Sequence, residues 1–239
     1  MAEDEIAKHT KKIYKTSRAK ELDLWHKLQE IFVEIVIIVF AVTVSIWFHN
    51  RSEHHHQQED VKVFLLGLHK DLKADIAEMQ EDKHSYEMQN AAFTYIKRTK
   101  LGKKLNSDSV TYYSAWIYNS TALNPNNGRF EGFKSSGKLG FIENDSLQND
   151  ILDLYQENIP SLLASTSNYI NHKNILFQYL QKTLHRTSDS TNNLTEVLNT
   201  EEAHNISRTL SFTSEITDRY DATINKMKKI IAEIEKEYK

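Results

Sequence analysis

The chain has 239 residues, with 30 Lys and Arg against 33 Asp and Glu and a formal net charge of -3. This balance gives no support to a nucleic-acid binder, which needs a basic surface. Six Gly and two Pro disfavour an all-β sandwich, a Rossmann fold or a P-loop enzyme, and the absence of Cys excludes disulfides, Cys-ligated zinc, iron–sulfur clusters and thiol catalysis.

The most informative stretch is the apolar segment, residues 31–48, which reads IFVEIVIIVFAVTVSIWF and contains one charged residue, Glu34. A helix needs ~20 apolar residues to cross a bilayer core of ~30 Å, and the run meets this when it is counted from Leu28. Trp25 and Trp47 lie 22 residues apart, or ~33 Å along a helix, so we predict that they anchor the two membrane interfaces. A buried core helix or strand pair is the alternative, but the segment has no turn residue and is longer than an ordinary strand.

The flanks of the apolar segment predict its orientation. Six basic residues lie between positions 11 and 27 but only two between positions 49 and 68, and positive charge stays on the cytoplasmic side. We therefore expect a basic cytoplasmic segment at 1–30, a transmembrane helix at 31–48 and a periplasmic domain at 49–239, in a bacterial inner membrane. The apolar run begins late, is longer than a usual signal-peptide core and precedes no small-x-small cleavage site, which indicates an uncleaved single-pass anchor.

Glu34 needs an explanation, because a carboxylate in hydrocarbon is costly. One alternative is that it snorkels to the headgroups or is protonated, and the other is that it faces a second helix. Helical spacing places it on one stripe with Ile38, Ala41 and Ser45, and Ala41-x-x-x-Ser45 is a small-x-x-x-small pattern that permits close helix approach. We hypothesise that Glu34, Ala41 and Ser45 pack against a second copy of the chain or against another membrane protein.

The rest of the chain has the pattern of α-helices. Beyond residue 49, apolar side chains recur at steps of three, four or seven to at least residue 98, so we expect the membrane helix to continue directly into the outer domain. The further predicted elements, in chain order, are a helix at 108–120, a turn at 124–128, a short helix at 130–137, a helix from Asn144 or Asp145 that stops before Pro160, a helix from Pro160 to about Arg186, a loop at 187–200 and a C-terminal helix that includes Ile216 and Tyr238. The expected fold class is all-α, with one transmembrane helix continuing into a periplasmic antiparallel helical bundle.

The sequence contains no complete motif for nucleotide binding, hydrolysis or metal binding. Residues 132–138 spell most of a Walker A loop, but Leu139 stands where the magnesium-binding Ser or Thr belongs and no predicted strand precedes it, so the match is interpreted as chance. The patterns G-x-S-x-G and H-E-x-x-H are absent. Four histidines, which we name the histidine collar, follow the apolar segment: His49, His54, His55 and His56. Adjacent histidines splay around a helix, which favours a polar surface over a metal site.

An aromatic group in the next predicted helix is expected either to line a ligand pocket or, as is more common, to lie in the core. Its members are Tyr112, Tyr113, Trp116 and Tyr118.

Several motifs in a fixed order resemble a known family. They are Gln29-Glu30-Ile31-x-x-Glu34-Ile35, Trp47-x-x-Asn50-Arg51-x-Glu53, Phe64-Leu65-x-x-Leu68-x-x-Asp71-Leu72-x-x-Asp75-Ile76, Phe130-x-x-Phe133-Lys134-Ser135-Ser136-Gly137-Lys138-Leu139-x-x-Ile142 and Leu147-x-x-x-Ile151-x-x-Leu154-Tyr155. The chain resembles, over most of its length after residue 25, a family of small bacterial single-pass membrane proteins known only as a domain of unknown function. The resemblance implies an N-terminal anchor and a helical outer domain, and it supplies no catalytic residues.

These features predict a protein that is not an enzyme and that needs no cofactor or metal. The expected partners are the lipid bilayer and either a second copy of the chain or another membrane protein, without nucleic acid. The first interpretation is a membrane-anchored periplasmic structural or interaction protein, a subunit or scaffold of a larger envelope complex. The alternatives are a ligand-binding or sensory module that acts through a partner and an accessory subunit of an energised membrane complex in which Glu34 carries a proton.

Overall fold

The computed structural model describes residues 2–100, 103–186 and 192–238, with side chains from residue 24 onward except at 26, 27 and 30. The helices are α1 (Ala2–Arg98), α2 (Ser107–Tyr118), α3 (Gly128–Ser135), α4 (Asp145–Asp153), α5 (Ile159–Thr183), α6 (Leu194–Leu198), α7 (Glu201–Leu210) and α8 (Ser214–Tyr238). These described ranges contain no strand, only an isolated bridge between Arg186 and Asn192. The expected all-α class is therefore confirmed.

The chain divides into two compact units, Met1–Gln57 and Gln58–Lys239. In its described residues the first unit consists of α1 alone. The second unit contains the remainder of α1 and the other seven helices, and it holds the buried hydrophobic core.

α1 is long because its sequence contains almost nothing that interrupts a helix. Between residues 2 and 98 there is no Pro and a single Gly, Gly67, and these two residue types are the main helix breakers. Packing explains the glycine at position 67, because the guanidinium of Arg129 occupies the space that a Cβ would fill. The prediction of a helix to at least residue 98 is confirmed, whereas Gly102, the predicted end signal, lies outside the described residues.

The core of the second unit includes the apolar stripes of α1 and α8. His69 contacts Glu235 at 2.8 Å and Lys83 contacts Asp221 at 2.7 Å, so the two helices run in opposite directions. The spacing noted in the sequence is confirmed by burial, because all the stripe residues except the partly buried Ile76 and Tyr238 are buried. The buried ones are Val61, Leu65, Leu68, Leu72, Met79 and Tyr86 on α1 and Ile216, Tyr220, Ile224, Met227, Ile231 and Ile234 on α8.

The predicted break before Pro160 is wrong, because residues 145–183 are helical without interruption. A π-helical turn, Leu154–Asn158, joins α4 to α5, and the backbone N–H of Ile159 donates to the carbonyl of Leu154. Pro160 has no N–H and stands in the first turn of α5, so a wider turn just before it accommodates the missing donor. The predicted start is confirmed, since the Asn144 side chain caps α4 by accepting a hydrogen bond from the backbone N–H of Leu147.

Two short helices lie where none was predicted. The expected loop at 187–200 contains α6, and its residues 187–191 lie outside the described ranges. α7 follows directly, and the Thr200 hydroxyl caps it by accepting a hydrogen bond from the N–H of Ala203. A capping Thr followed by two acidic residues is a start signal that was available in the sequence.

The short helix predicted at 130–137 is present as α3, which begins two residues earlier. The chain leaves α3 at Gly137, whose φ of 73° is in the left-handed region that glycine tolerates best. A 3₁₀ turn, Lys138–Phe141, follows.

Candidate functional site

The apolar segment lies on the surface of the first unit. The exposed fraction of its large apolar side chains ranges from 48% at Val36 to 69% at Phe40. No residue of its most apolar 18-residue stretch is buried. Soluble proteins rarely expose so large a continuous apolar surface. By length and composition this is one helix that could cross a membrane.

The two predicted interface tryptophans are both exposed, Trp25 by 69% and Trp47 by 56%. The guanidinium carbon of Arg51 lies 5.8 Å from the centroid of the Trp47 ring. A cation stacked on tryptophan next to the end of an apolar run is typical of a membrane–water interface.

The stripe of Glu34, Ala41 and Ser45 is exposed along one side of α1. The Ser45 hydroxyl donates to the Ala41 carbonyl at 2.8 Å, and the Thr43 hydroxyl donates to the Val39 carbonyl at 2.7 Å. Both hydroxyls are therefore satisfied within the helix, which removes most of their cost in hydrocarbon. Glu34 is then the polar side chain of this stripe that a partner could pair.

The histidine collar is exposed on α1. His49 lies 3.8 Å from Glu53, one helical turn away, and the rings of His55 and His56 are 6.3 Å apart. Throughout the described part of the chain, no three or more His, Asp or Glu side chains form a group that could hold a metal ion. The collar is an exposed polar surface next to the apolar segment.

The aromatic group on α2 is divided between surface and core. Tyr112 and Tyr118 are exposed, whereas Tyr113 and Trp116 pack partly buried against the core. The Walker-like residues also separate, because Lys138 pairs with Asp60 at 2.8 Å on α1 instead of pointing into a phosphate-binding loop.

A feature that the sequence did not reveal is a carboxylate ladder on α1. Four acidic residues one helical turn apart hold the connecting segment between α2 and α3, residues 119–127, and the start of α3. The pairs are Asp71 with Arg129 (2.8 Å), Asp75 with Asn126 (2.5 Å to the side-chain nitrogen), Glu78 with the backbone N–H of Asn124 (2.9 Å) and Asp82 with the hydroxyl of Thr121. The ladder supplies hydrogen bonds to a segment that has no secondary structure of its own.

Two carboxylates of the ladder are removed from water. Asp75 and Asp82 are buried, and burial raises the pKa of each above its ordinary value, against hydrogen bonds that lower it. Asp82 also accepts a hydrogen bond from the hydroxyl of Tyr220 on α8 at 3.1 Å. This carboxylate therefore joins α1, the connecting segment and α8.

Lys173 on α5 is the second buried polar feature that the sequence did not reveal, and none of its surface is exposed. Its ammonium donates to the Gln89 side-chain oxygen at 2.6 Å, to the Trp116 carbonyl at 3.0 Å and to the Asn119 carbonyl. The last two are terminal carbonyls of α2, where a cation is favourable. Burial lowers the pKa of Lys173 to about 7.

Lys173 is placed to hold helices together and not to act as a nucleophile. An amine can act as a nucleophile only if a substrate reaches it, and this one is enclosed by its three acceptors and by the rings of Phe93 and Phe177, 5.8 and 6.0 Å away. It connects α5 to α1 and α2.

Comparison with known proteins gives no relative of the chain. No protein-family model, no curated protein and no solved structure matches it. Its function must be inferred from its own residues and geometry.

Proposed function

We propose that the chain is a membrane-anchored structural or interaction protein of the bacterial envelope. The apolar segment would cross the inner membrane once, and the second unit would be a periplasmic antiparallel helical bundle that docks onto another envelope component. The protein would act by binding and not by catalysis.

The observation that carries the proposal is the exposure of the apolar segment. Thirteen large apolar side chains between Ile31 and Phe48 are exposed, and burying each of them is worth ~1.5–3 kcal/mol. Transfer of the segment into lipid would therefore gain on the order of 20 kcal/mol or more. The excess of basic residues before the segment supports a cytoplasmic N-terminus.

The stripe of Glu34, Ala41 and Ser45 is the proposed contact with the partner inside the membrane. Small side chains at 41 and 45 permit close helix approach. Because the Ser45 hydroxyl is already bonded to its own helix, the partner would contribute packing there and a hydrogen bond at Glu34. The partner is a second copy or a different membrane protein.

Site-specific photo-crosslinking in native membranes tests this contact. A photoreactive residue replaces Ala41 in one variant and Val36 in a control, since Val36 lies ~200° around the helix from Glu34. Irradiation should give a discrete protein adduct from position 41 and only lipid adducts from position 36. Glu34→Leu combined with Ser45→Leu should abolish the adduct. Equal adducts from both positions, or none from position 41, would refute the contact.

A further inference from the structure

The second unit contains a groove of about 560 Å³ between α5, the end of α7 and the start of α8. Its volume falls within the range of small-molecule sites, ~300–1,000 Å³. The wall from α5 is polar and includes Ser161, Asn168 and His172, and Phe212 lines the groove from the turn between α7 and α8. The groove takes no part in the proposed membrane contact.

Phe212 is exposed by 68% although its turn is firmly held. The neighbouring Ser211 accepts hydrogen bonds from Asn90 at its carbonyl and from Lys97 at its hydroxyl, the latter at 2.6 Å. On the other side, the Thr213 hydroxyl donates to the Tyr86 carbonyl at 3.4 Å. The Lys97 ammonium also lies 5.0 Å from the centroid of the Phe212 ring. The fold thus fixes an aromatic ring at the edge of a groove and leaves most of its surface exposed, which is an arrangement suited to stacking against a ligand.

Three polar side chains on the α5 wall of the groove have no partner in the part of the chain that the structure describes, and the two oppositely charged lining residues are paired with each other. Ser161, Asn168 and His172 have no side-chain hydrogen bond or ion pair with any residue in the described ranges. The charged lining residues neutralise each other, since Arg219 donates to Glu215 at 2.7 Å and Ser165 donates to the same carboxylate oxygen at 3.1 Å. Arg219 is thus paired, and Lys97, whose ammonium lies over the Phe212 ring, donates to Ser211, so both nearby cations already have partners. A purely apolar ligand would leave the polar wall unpaired.

We propose that this groove binds a neutral carbohydrate, with one sugar ring stacked on Phe212 and its hydroxyl groups hydrogen-bonded to Asn168, His172 and Ser161. A sugar ring presents C–H groups to an aromatic face and polar groups around its edge, which matches one fixed aromatic ring beside a wall of hydrogen-bond donors and acceptors. A protein partner fits less well, because protein hot spots are desolvated, mainly apolar pockets.

The test uses the full chain in lipid nanodiscs, since sugar-headed detergents would compete for the groove. Saturation-transfer NMR with maltose and with N,N′-diacetylchitobiose reports which ligand protons touch the protein, at millimolar affinities (~4 kcal/mol of binding energy). Transfer to ring C–H protons is expected from at least one disaccharide. Phe212→Ala and Asn168→Ala should each weaken binding about tenfold or more, whereas Tyr112→Ala, which removes an equally exposed aromatic ring outside the groove, should not.

Thermal unfolding of each variant, followed by circular dichroism, verifies that these surface substitutions leave the fold intact. Absence of transfer from both sugars would overturn the proposal. So would an unchanged signal in Phe212→Ala, or binding of a hydrophobic tripeptide in place of the sugars. Because the groove lies outside the apolar segment, failure of the sugar-binding proposal would not affect the membrane-anchor proposal.

Discussion

Asp75 and Asp71 belong to the same ladder but stand in different surroundings. Asp75 is buried and accepts hydrogen bonds from both the backbone and the side chain of Asn126. Asp71 is partly exposed and pairs with the half-exposed Arg129. The stabilisation that each carboxylate contributes should be larger for the buried one, because an exposed ion pair is worth little and hydrogen bonds to a charged acceptor are worth more than those between neutral groups.

We therefore expect Asp75→Ala to lower the free energy of unfolding by about 2 kcal/mol, since it removes hydrogen bonds to a charged acceptor from the backbone and side chain of Asn126. Asp71→Ala is the matched control and should cost less than about 1 kcal/mol. Urea unfolding of the full chain, followed by circular dichroism, measures both. Equal losses would show that the ladder does not hold the connecting segment through its buried member.

Lys173 makes stability depend on pH with a definite sign. Below pH 7 the amine is charged in both states, so the cost of burying the charge is fully present. Between pH 7 and its ordinary pKa near 10.5 the unfolded chain keeps a proton that the folded chain has released. The free energy of unfolding should thus rise with pH in this window, by at most ~1.4 kcal/mol per pH unit.

The measurement is urea unfolding at pH 7, 8 and 9 for the wild type and for Lys173→Met, with Lys182→Met as a control on the exposed face of the same helix. The rise should be present in the wild type and in the control and should be lost in Lys173→Met. A rise of the same slope in Lys173→Met would assign the pH dependence to other groups.

These residue-scale features were only partly accessible from the sequence. The spacing of Asp71, Asp75, Glu78 and Asp82 marks one face of a helix, but their partners lie 39 to 58 residues away along the chain. The three acceptors of Lys173 come from α1, from the last turn of α2 and from Asn119, which follows α2. Which distant groups meet is set by packing, and no local pattern encodes it.

At the scale of the element, helix starts depend on side-chain caps. Asn106, Asn144 and Thr200 each accept a hydrogen bond from a backbone N–H of the helix that follows. Asn127 precedes α3 but makes no such bond. Because Asn127 is the same residue type without the hydrogen bond, it serves as a control for the effect of the capping bond itself.

Replacement by Ala at position 106, 144 or 200 should lower the free energy of unfolding by about 1 kcal/mol, because one backbone N–H in the first turn of the helix loses its acceptor. Asn127→Ala, the control, should change it by no more than a few tenths of a kcal/mol. Thermal unfolding of the four variants decides the matter. A loss at Asn127 as large as at Asn144 would contradict capping as the cause.

Periodicity predicted the elements that have a continuous apolar stripe. α1 and α8 are long, and their stripe residues are buried as expected. α6 and α7 were missed because Ser, Thr and Asn dominate their surroundings and these residues favour loops when counted by composition. The break expected at Pro160 was wrong because a π-helical turn accommodates the missing N–H.

At the scale of the whole molecule, the two units differ in where their apolar residues lie. In Gln58–Lys239 the apolar stripes are buried, whereas in the described side chains of Met1–Gln57 the apolar segment is exposed. The sequence predicted a helix at 31–48 that is long and apolar enough to cross a membrane, and the exposure of its side chains agrees with that prediction. The proposed topology places the second unit in the periplasm.

Cysteine accessibility tests that topology most directly, because the chain has no Cys of its own and a single introduced thiol reports without background. Lys15→Cys lies before the apolar segment, and Glu87→Cys replaces an exposed side chain of the second unit. In cells with a permeabilised outer membrane, a membrane-impermeant maleimide should label Cys at position 87 at once and Cys at position 15 only after lysis. Labelling in the reverse order, or recovery of both variants in the soluble fraction, would contradict the anchored, outward-facing arrangement.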